Sequence, residues 1–145
     1  MSRLIYILNG PNLNMLGQRE PHLYGHDTLD MIRERSVARA RSHGFEVDFR
    51  QSNYEGVLVD SVQEARGKAA AIIINPAGLS FYSIPLLDAL KMFEGPKIEV
   101  HLTNIHQRGG LYEKSIISLT STAVICGLGA NGYPLAVDAA VGLLG

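Results

Sequence analysis

Blocks of apolar and polar residues alternate along this chain, and their spacing predicts the elements. Leu4 to Leu8 is an unbroken apolar run that ends in Asn9-Gly10-Pro11, the pattern of a parallel strand buried on both faces. A polar stretch without hydrophobic period follows, carrying Arg19 and Tyr24 between Gly17 and Gly25. It is longer than a minimal βα turn, so it is read as a functional lid over about 13–26. Thr28 caps a predicted helix running through Ser42, with Leu29, Ile32, Ser36 or Val37, and Ala40 inward and Gly44 as its stop. Phe45, Val47 and Phe49 alternate as a second strand, and Leu58, Val59, Val62 and Ala65 mark one face of a helix over roughly 55–67. A third strand covers Ala70 to Ile74. Ser83 then caps a helix with Pro85 in its first turn and Ile84, Leu87 and Leu90 inward. Lys97 to Leu102 and Ala123 to Cys126 are the last two strands, separated by a Gly-bearing loop through about Ser115, and a final helix covers about 131–143.

Strand and helix signals that alternate from end to end imply βαβ units. The fold class expected is α/β: a flavodoxin-like, doubly wound, five-stranded parallel sheet with helices on both faces, in a single domain over 1–145. Ligands of such sheets sit outside the carboxyl ends of the strands. Here the strand ends carry Asn9, Gln51 with Asn53, Asn75 and His101. Loops are polar wherever they begin, so this alone does not make a site.

The chain's 145 residues hold 13 basic and 14 acidic side chains, which gives no electrostatic footprint for nucleic acid or a membrane surface. No apolar stretch approaches a bilayer span and the N-terminus lacks a signal-peptide pattern, so the expectation is a cytoplasmic domain. One cysteine, Cys126, excludes an internal disulfide framework and reads as packing.

Within the fourth strand, Glu99 and His101 are two apart and share a face. A carboxylate beside a histidine fixes its tautomer and favours its protonated form, which suits an acid catalyst; a buried, satisfied pair is the plainer reading. His106 follows in a loop with no third ligand, so no metal site is read. Arg19 and Tyr24 share the lid, where a guanidinium favours the phenolate and would make Tyr24 a base, or where the two are a solvated cation and a packed anchor. Asn12 and Asn75 offer amides for an oxyanion or a water, or cap turns. A base, its activator, an acid with its orienting carboxylate, and amide donors suit proton abstraction beside a carbonyl with loss of a β-hydroxyl. Gly127-Leu128-Gly129-Ala130-Asn131-Gly132 matches GxGxxG, but too little chain follows it to complete a dinucleotide unit.

The whole chain resembles the type II 3-dehydroquinate dehydratases. The resemblance is carried by Leu8-Asn9-Gly10-Pro11-Asn12-Leu13-Asn14, by Arg19-Glu20-Pro21 with Tyr24-Gly25, and by Gln51-Ser52-Asn53-Tyr54-Glu55-Gly56. Ile74-Asn75-Pro76, Glu99-Val100-His101-Leu102-Thr103-Asn104-Ile105-His106 and Ile125-Cys126-Gly127 complete it. It implies a flavodoxin-like fold, no metal or cofactor, and a dodecamer of four trimers. The implied reaction removes water from 3-dehydroquinate through an enolate to give 3-dehydroshikimate, in aromatic biosynthesis by the shikimate route or in quinate catabolism. By the same resemblance Tyr24 takes the C2 proton, assisted by Arg19, and His101 protonates the departing C1 hydroxyl. Asn12 holds a water for the enolate, while Asn75 and the backbone of Leu102 and Thr103 grip the C1 substituents. Asp88 reaches a neighbouring subunit's site.

The chain departs from the family pattern in one region. Phe81 stands where the family has a histidine that binds a ring hydroxyl, and Tyr112 where it has a hydroxyl-gripping arginine; Arg108 remains nearby. Losing two such partners costs roughly 1–3 kcal/mol each, up to a few hundredfold in specificity. Three functions follow as expectations: a 3-dehydroquinate dehydratase, a paralogue acting on a related β-hydroxy ketone acid, or a catalytically dead flavodoxin-like module binding flavin or nucleotide.

Overall fold

The first apolar run lies near the middle of the sheet. β1 (Leu4–Asn9) pairs in parallel with β2 (Glu46–Gln51) on one side and β3 (Ala71–Asn75) on the other. Both its faces are therefore covered, and Ile5 through Asn9 are buried, which is why the run has no polar alternation. β4 (Lys97–His101) and β5 (Ala123–Cys126) extend the sheet beyond β3, giving the parallel order β2-β1-β3-β4-β5. This is the flavodoxin-like order, and its direction reverses between β1 and β3, where a crevice opens at the carboxyl ends. The structure, a computed structural model, describes residues 2–18 and 20–145.

Helices cover both faces. α1 (Pro21–Tyr24) is a single turn, followed by α2 (Leu29–Ser42), α3 (Glu55–Ala65), α4 (Ile84–Lys91) and α5 (Gly132–Leu144). Alternate β1 residues go to opposite layers, as a two-residue period requires. Ile5 and Ile7 join Ile32 and Ala40 of α2 and Tyr133, Val137 and Ala140 of α5. Tyr6 and Leu8 join Leu58 and Val62 of α3 and Leu86 and Leu90 of α4. The predicted caps form: Thr28 Oγ1 accepts from the Met31 amide at 3.2 Å, and Ser83 Oγ from the Leu86 amide at 3.2 Å, each worth about 1 kcal/mol.

Two local expectations differ from what is observed. Ile84 is 55% exposed, because the inner stripe of α4 runs through Leu86, Leu87 and Leu90 rather than 84-87-90. The first part of the lid, read as a polar stretch without hydrophobic period, is anchored in the core. A 3₁₀ turn, Leu13–Met15, puts Leu13 and Leu16 into the core; residues three apart share a face in a 3₁₀ turn, a period too short to register as amphipathic. The loop after β4 is likewise built from short 3₁₀ turns, Ile105–Gln107, Gly110–Tyr112 and Ile116–Leu119.

Candidate active site

The strand-end residues divide into those that face a cavity and those that hold it. A cavity of about 210 Å³ opens at the carboxyl ends of β1, β3 and β4, lined among others by Asn12, Tyr24, Asn75, His101, Thr103 and Arg108. Leu102, Phe81 and Tyr112 also line it. That volume is below the ~300–1,000 Å³ of drug-sized pockets and suits a small substrate. Asn9, Gln51 and Asn53 do not line it. They brace the chain behind it.

β4 places the acid candidate. His101 is 4% exposed and Glu99 fully buried, and His101 Nε2 donates to Glu99 Oε2. This leaves Nδ1 as the ring nitrogen for the cavity, an assignment of tautomer made by the carboxylate behind it. The other carboxylate oxygen accepts from Ser118 Oγ at 2.6 Å and Ser121 Oγ at 3.2 Å. Burial works to raise the Glu99 carboxyl, but the contacts from His101 and the serine hydroxyls outweigh it and hold the group below the ordinary carboxylate range. The folded state thus favours the charged form. Its stabilisation is present above the unfolded-chain value near ~4.3 and is lost as pH falls through the lower folded value. The melting temperature of Glu99→Gln is therefore expected to fall less steeply than the parent's on acidification below about pH 4. Equal slopes would remove Glu99 from that dependence.

The GxGxxG glycines serve this same strand end. Gly127, at φ +88°, donates its amide to the His101 carbonyl at 3.3 Å, and the Gly129 amide donates to the Leu102 carbonyl at 3.0 Å. The turn pins β4 and leads into α5. Cys126 pairs in register with His101; burial first, then the Glu99 charge, push its thiol upward, which opposes thiolate formation.

The opposite wall comes from the lid and the loop after β4. α1 carries Tyr24 onto the cavity; Arg19 lies outside the described residues. The Arg108 guanidinium carbon sits 4.2 Å from the centre of the Tyr112 ring and 5.8 Å from that of Tyr24, within cation–π reach of both. Phe81 and Tyr112 meet edge to face at 5.5 Å. The two departures from the resemblance are therefore one aromatic contact, with Arg108 laid on it.

Amides frame the β1 and β3 ends. Asn12 adopts a left-handed conformation at φ 72°, its backbone N–H donating to Asn53 Oδ1 at 2.9 Å. Gln51 Nε2 reaches both Asn53 Oδ1 and the Gly10 carbonyl at 3.2 Å. A Cβ on Gly10 would collide with the Pro76 carbonyl, so only glycine lets the two strand ends approach this closely. Asn75 Oδ1 accepts from the Ala77 amide at 3.1 Å, and its Nδ2 donates to the Tyr133 hydroxyl at 3.1 Å. Asp88 is exposed on α4 and does not line the cavity of its own chain.

Sequence reasoning missed Tyr133, Ser118 and Ser121. Each reaches the site through another side chain, and nothing in their spacing marks them. Pairing a buried Asn or Glu with the hydroxyls that must satisfy it is the one signal that points there.

A family model described as "Dehydroquinase class II" matches residues 3–141. The chain is 54% identical over 143 residues to a 3-dehydroquinate dehydratase of Phenylobacterium zucineum, covering 99% of each. It is 52% identical over 145 residues to one of a Caulobacter species, covering 100% of this chain and 99% of that one. A solved structure of the type II dehydroquinase of Propionibacterium acnes superimposes with a TM-score of 0.93 at 39% identity, over 98% of both chains. Matched along nearly its whole length, with the sheet order and the Glu99–His101 pair its residues predict, the chain belongs to the dehydroquinase class II family.

Proposed function

We propose that this protein is a hydro-lyase that removes water from 3-dehydroquinate to give 3-dehydroshikimate. The observation that carries this reading is that Tyr24, on the lid helix, and His101, backed by Glu99, open onto one small cavity. Abstraction of a C2 proton by Tyr24 leaves an enolate whose negative charge lies on the C3 oxygen. Collapse of the enolate forms the C1–C2 double bond and expels the C1 hydroxyl, which leaves as water with the proton from His101. The buried Glu99 carboxylate accepts from Nε2 and holds the imidazole ring in place for that transfer. Arg19 is the cation assigned to Tyr24. Asn12 holds the water at the enolate oxygen, and Asn75 with the Leu102 and Thr103 backbone binds the C1 substituents. The reaction belongs in the cytoplasm, in a trimer-based homo-oligomer where Asp88 serves a neighbour's site; its exposure on α4 leaves it available.

A second reading, a related β-hydroxy keto acid with fewer hydroxyls, is favoured only by the aromatic contact of Phe81 with Tyr112. One assay separates them: added 3-dehydroquinate is followed by the ultraviolet absorbance of the conjugated enone product. The parent is expected to turn it over. The double variant Phe81→His plus Tyr112→Arg is expected to raise kcat/KM by about tenfold or more, because each restored contact is worth roughly 1–3 kcal/mol. Turnover by the double variant alone would establish the second reading, and turnover by neither would contradict the dehydroquinate assignment.

A further inference from the structure

We infer that Tyr133 is a positioning residue for the reaction, acting by fixing which face of the Asn75 amide meets the substrate. The inference rests on the proposed role of Asn75 and goes beyond it. Tyr133 stands in the first turn of α5 with no exposed surface. Its hydroxyl has one proton, and that proton goes to Asn9 Oδ1 at 2.6 Å. Asn9 in turn donates from Nδ2 to the Arg50 carbonyl at 2.9 Å. The phenolic oxygen is thus left as an acceptor only, and it accepts from Asn75 Nδ2 at 3.1 Å.

The direction of the chain is fixed from end to end: Asn75 donates to Tyr133, Tyr133 to Asn9, and Asn9 to a backbone carbonyl. Bonds aligned in one sense polarise each other. Asn75 Oδ1 is held by the Ala77 amide, so the amide cannot turn over without breaking both contacts. One Nδ2 hydrogen remains, and Asn75 lines the cavity. The site therefore receives a donor from Asn75, oriented by a phenol that never touches the substrate. Burial pushes the Tyr133 phenol above its usual range, which keeps its proton in place for Asn9 at any working pH.

Tyr133→Phe keeps the ring that packs against Phe49 at 6.5 Å and removes only the hydroxyl. With the Nδ2 contact gone and the amide held only through the Ala77 amide, KM for 3-dehydroquinate is expected to rise about tenfold with kcat within about threefold, as for a contact made equally in ground and transition states. In an Asn75→Ala background the same substitution is expected to change kcat/KM by less than about twofold. An equal loss in both backgrounds, or an unchanged KM, would overturn the inference, since a purely structural phenol would act whether or not Asn75 is present. If Tyr133→Phe does not fold, Asn9→Ala removes the acceptor that orients the phenolic proton and is held to the same two criteria. If the parent does not turn over 3-dehydroquinate, the proposed function fails while the inference is still decided by the crystal structure of Tyr133→Phe. A rotated or displaced Asn75 amide supports it, and an unmoved one overturns it.

Discussion

Tyr24→Phe is expected to lower kcat for 3-dehydroquinate by roughly 10²–10⁴-fold, the range for losing a positioned general base. The substitution removes one oxygen and keeps the ring, which packs against the core cluster that includes Leu13 and Leu16. The lid helix should therefore keep its place, and the Arg108 guanidinium loses none of its contact with Tyr112. KM is expected to change little, because a hydroxyl that acts only as the proton moves contributes to the transition state and not to binding. A loss carried mainly by KM would show instead that the tyrosine anchors the substrate.

His101→Ala is expected to cost a comparable factor in kcat, for a different reason. Without the imidazolium the C1 hydroxyl must leave unprotonated, so the enolate forms and returns. This variant also strands Glu99, which is fully buried and would retain only the serine hydroxyls. Breaking one side of a buried ion pair costs on the order of 3–5 kcal/mol. The melting temperature is therefore expected to fall as well. Combining His101→Ala with Glu99→Gln removes the stranded charge and is expected to recover much of the melting temperature while recovering no activity. Activity that returned along with stability would mean that His101 supports the fold and does not supply the proton.

The fold was legible wherever a local pattern has a single geometric solution. The apolar run of β1, the caps at Thr28 and Ser83 and the polar strand ends belong to that class. So does the Glu99–His101 pair, because a two-residue period puts both side chains on one face. What stayed hidden depends on residues distant in the chain. Tyr133 lies 58 positions from Asn75 and 124 from Asn9, and no period links them. The Phe81–Tyr112 contact was visible only as two separate departures, since nothing local says that the turn after β3 meets the loop after β4. The anchoring of Leu13 and Leu16 was missed for a third reason: a single 3₁₀ turn is too short to show amphipathicity.

The central claim is that Tyr24 and His101 divide the elimination into two proton transfers, and the fate of the C2 hydrogen tests it most directly. With 3-dehydroquinate in deuterium oxide, nuclear magnetic resonance would follow exchange at C2 alongside product formation. His101→Ala is expected to exchange the C2 hydrogen much faster than it forms product, and Tyr24→Phe to slow exchange and product formation together by roughly 10²–10⁴-fold. Exchange at the parent's rate in Tyr24→Phe, or exchange no faster than product formation in His101→Ala, would contradict the assignment of base and acid.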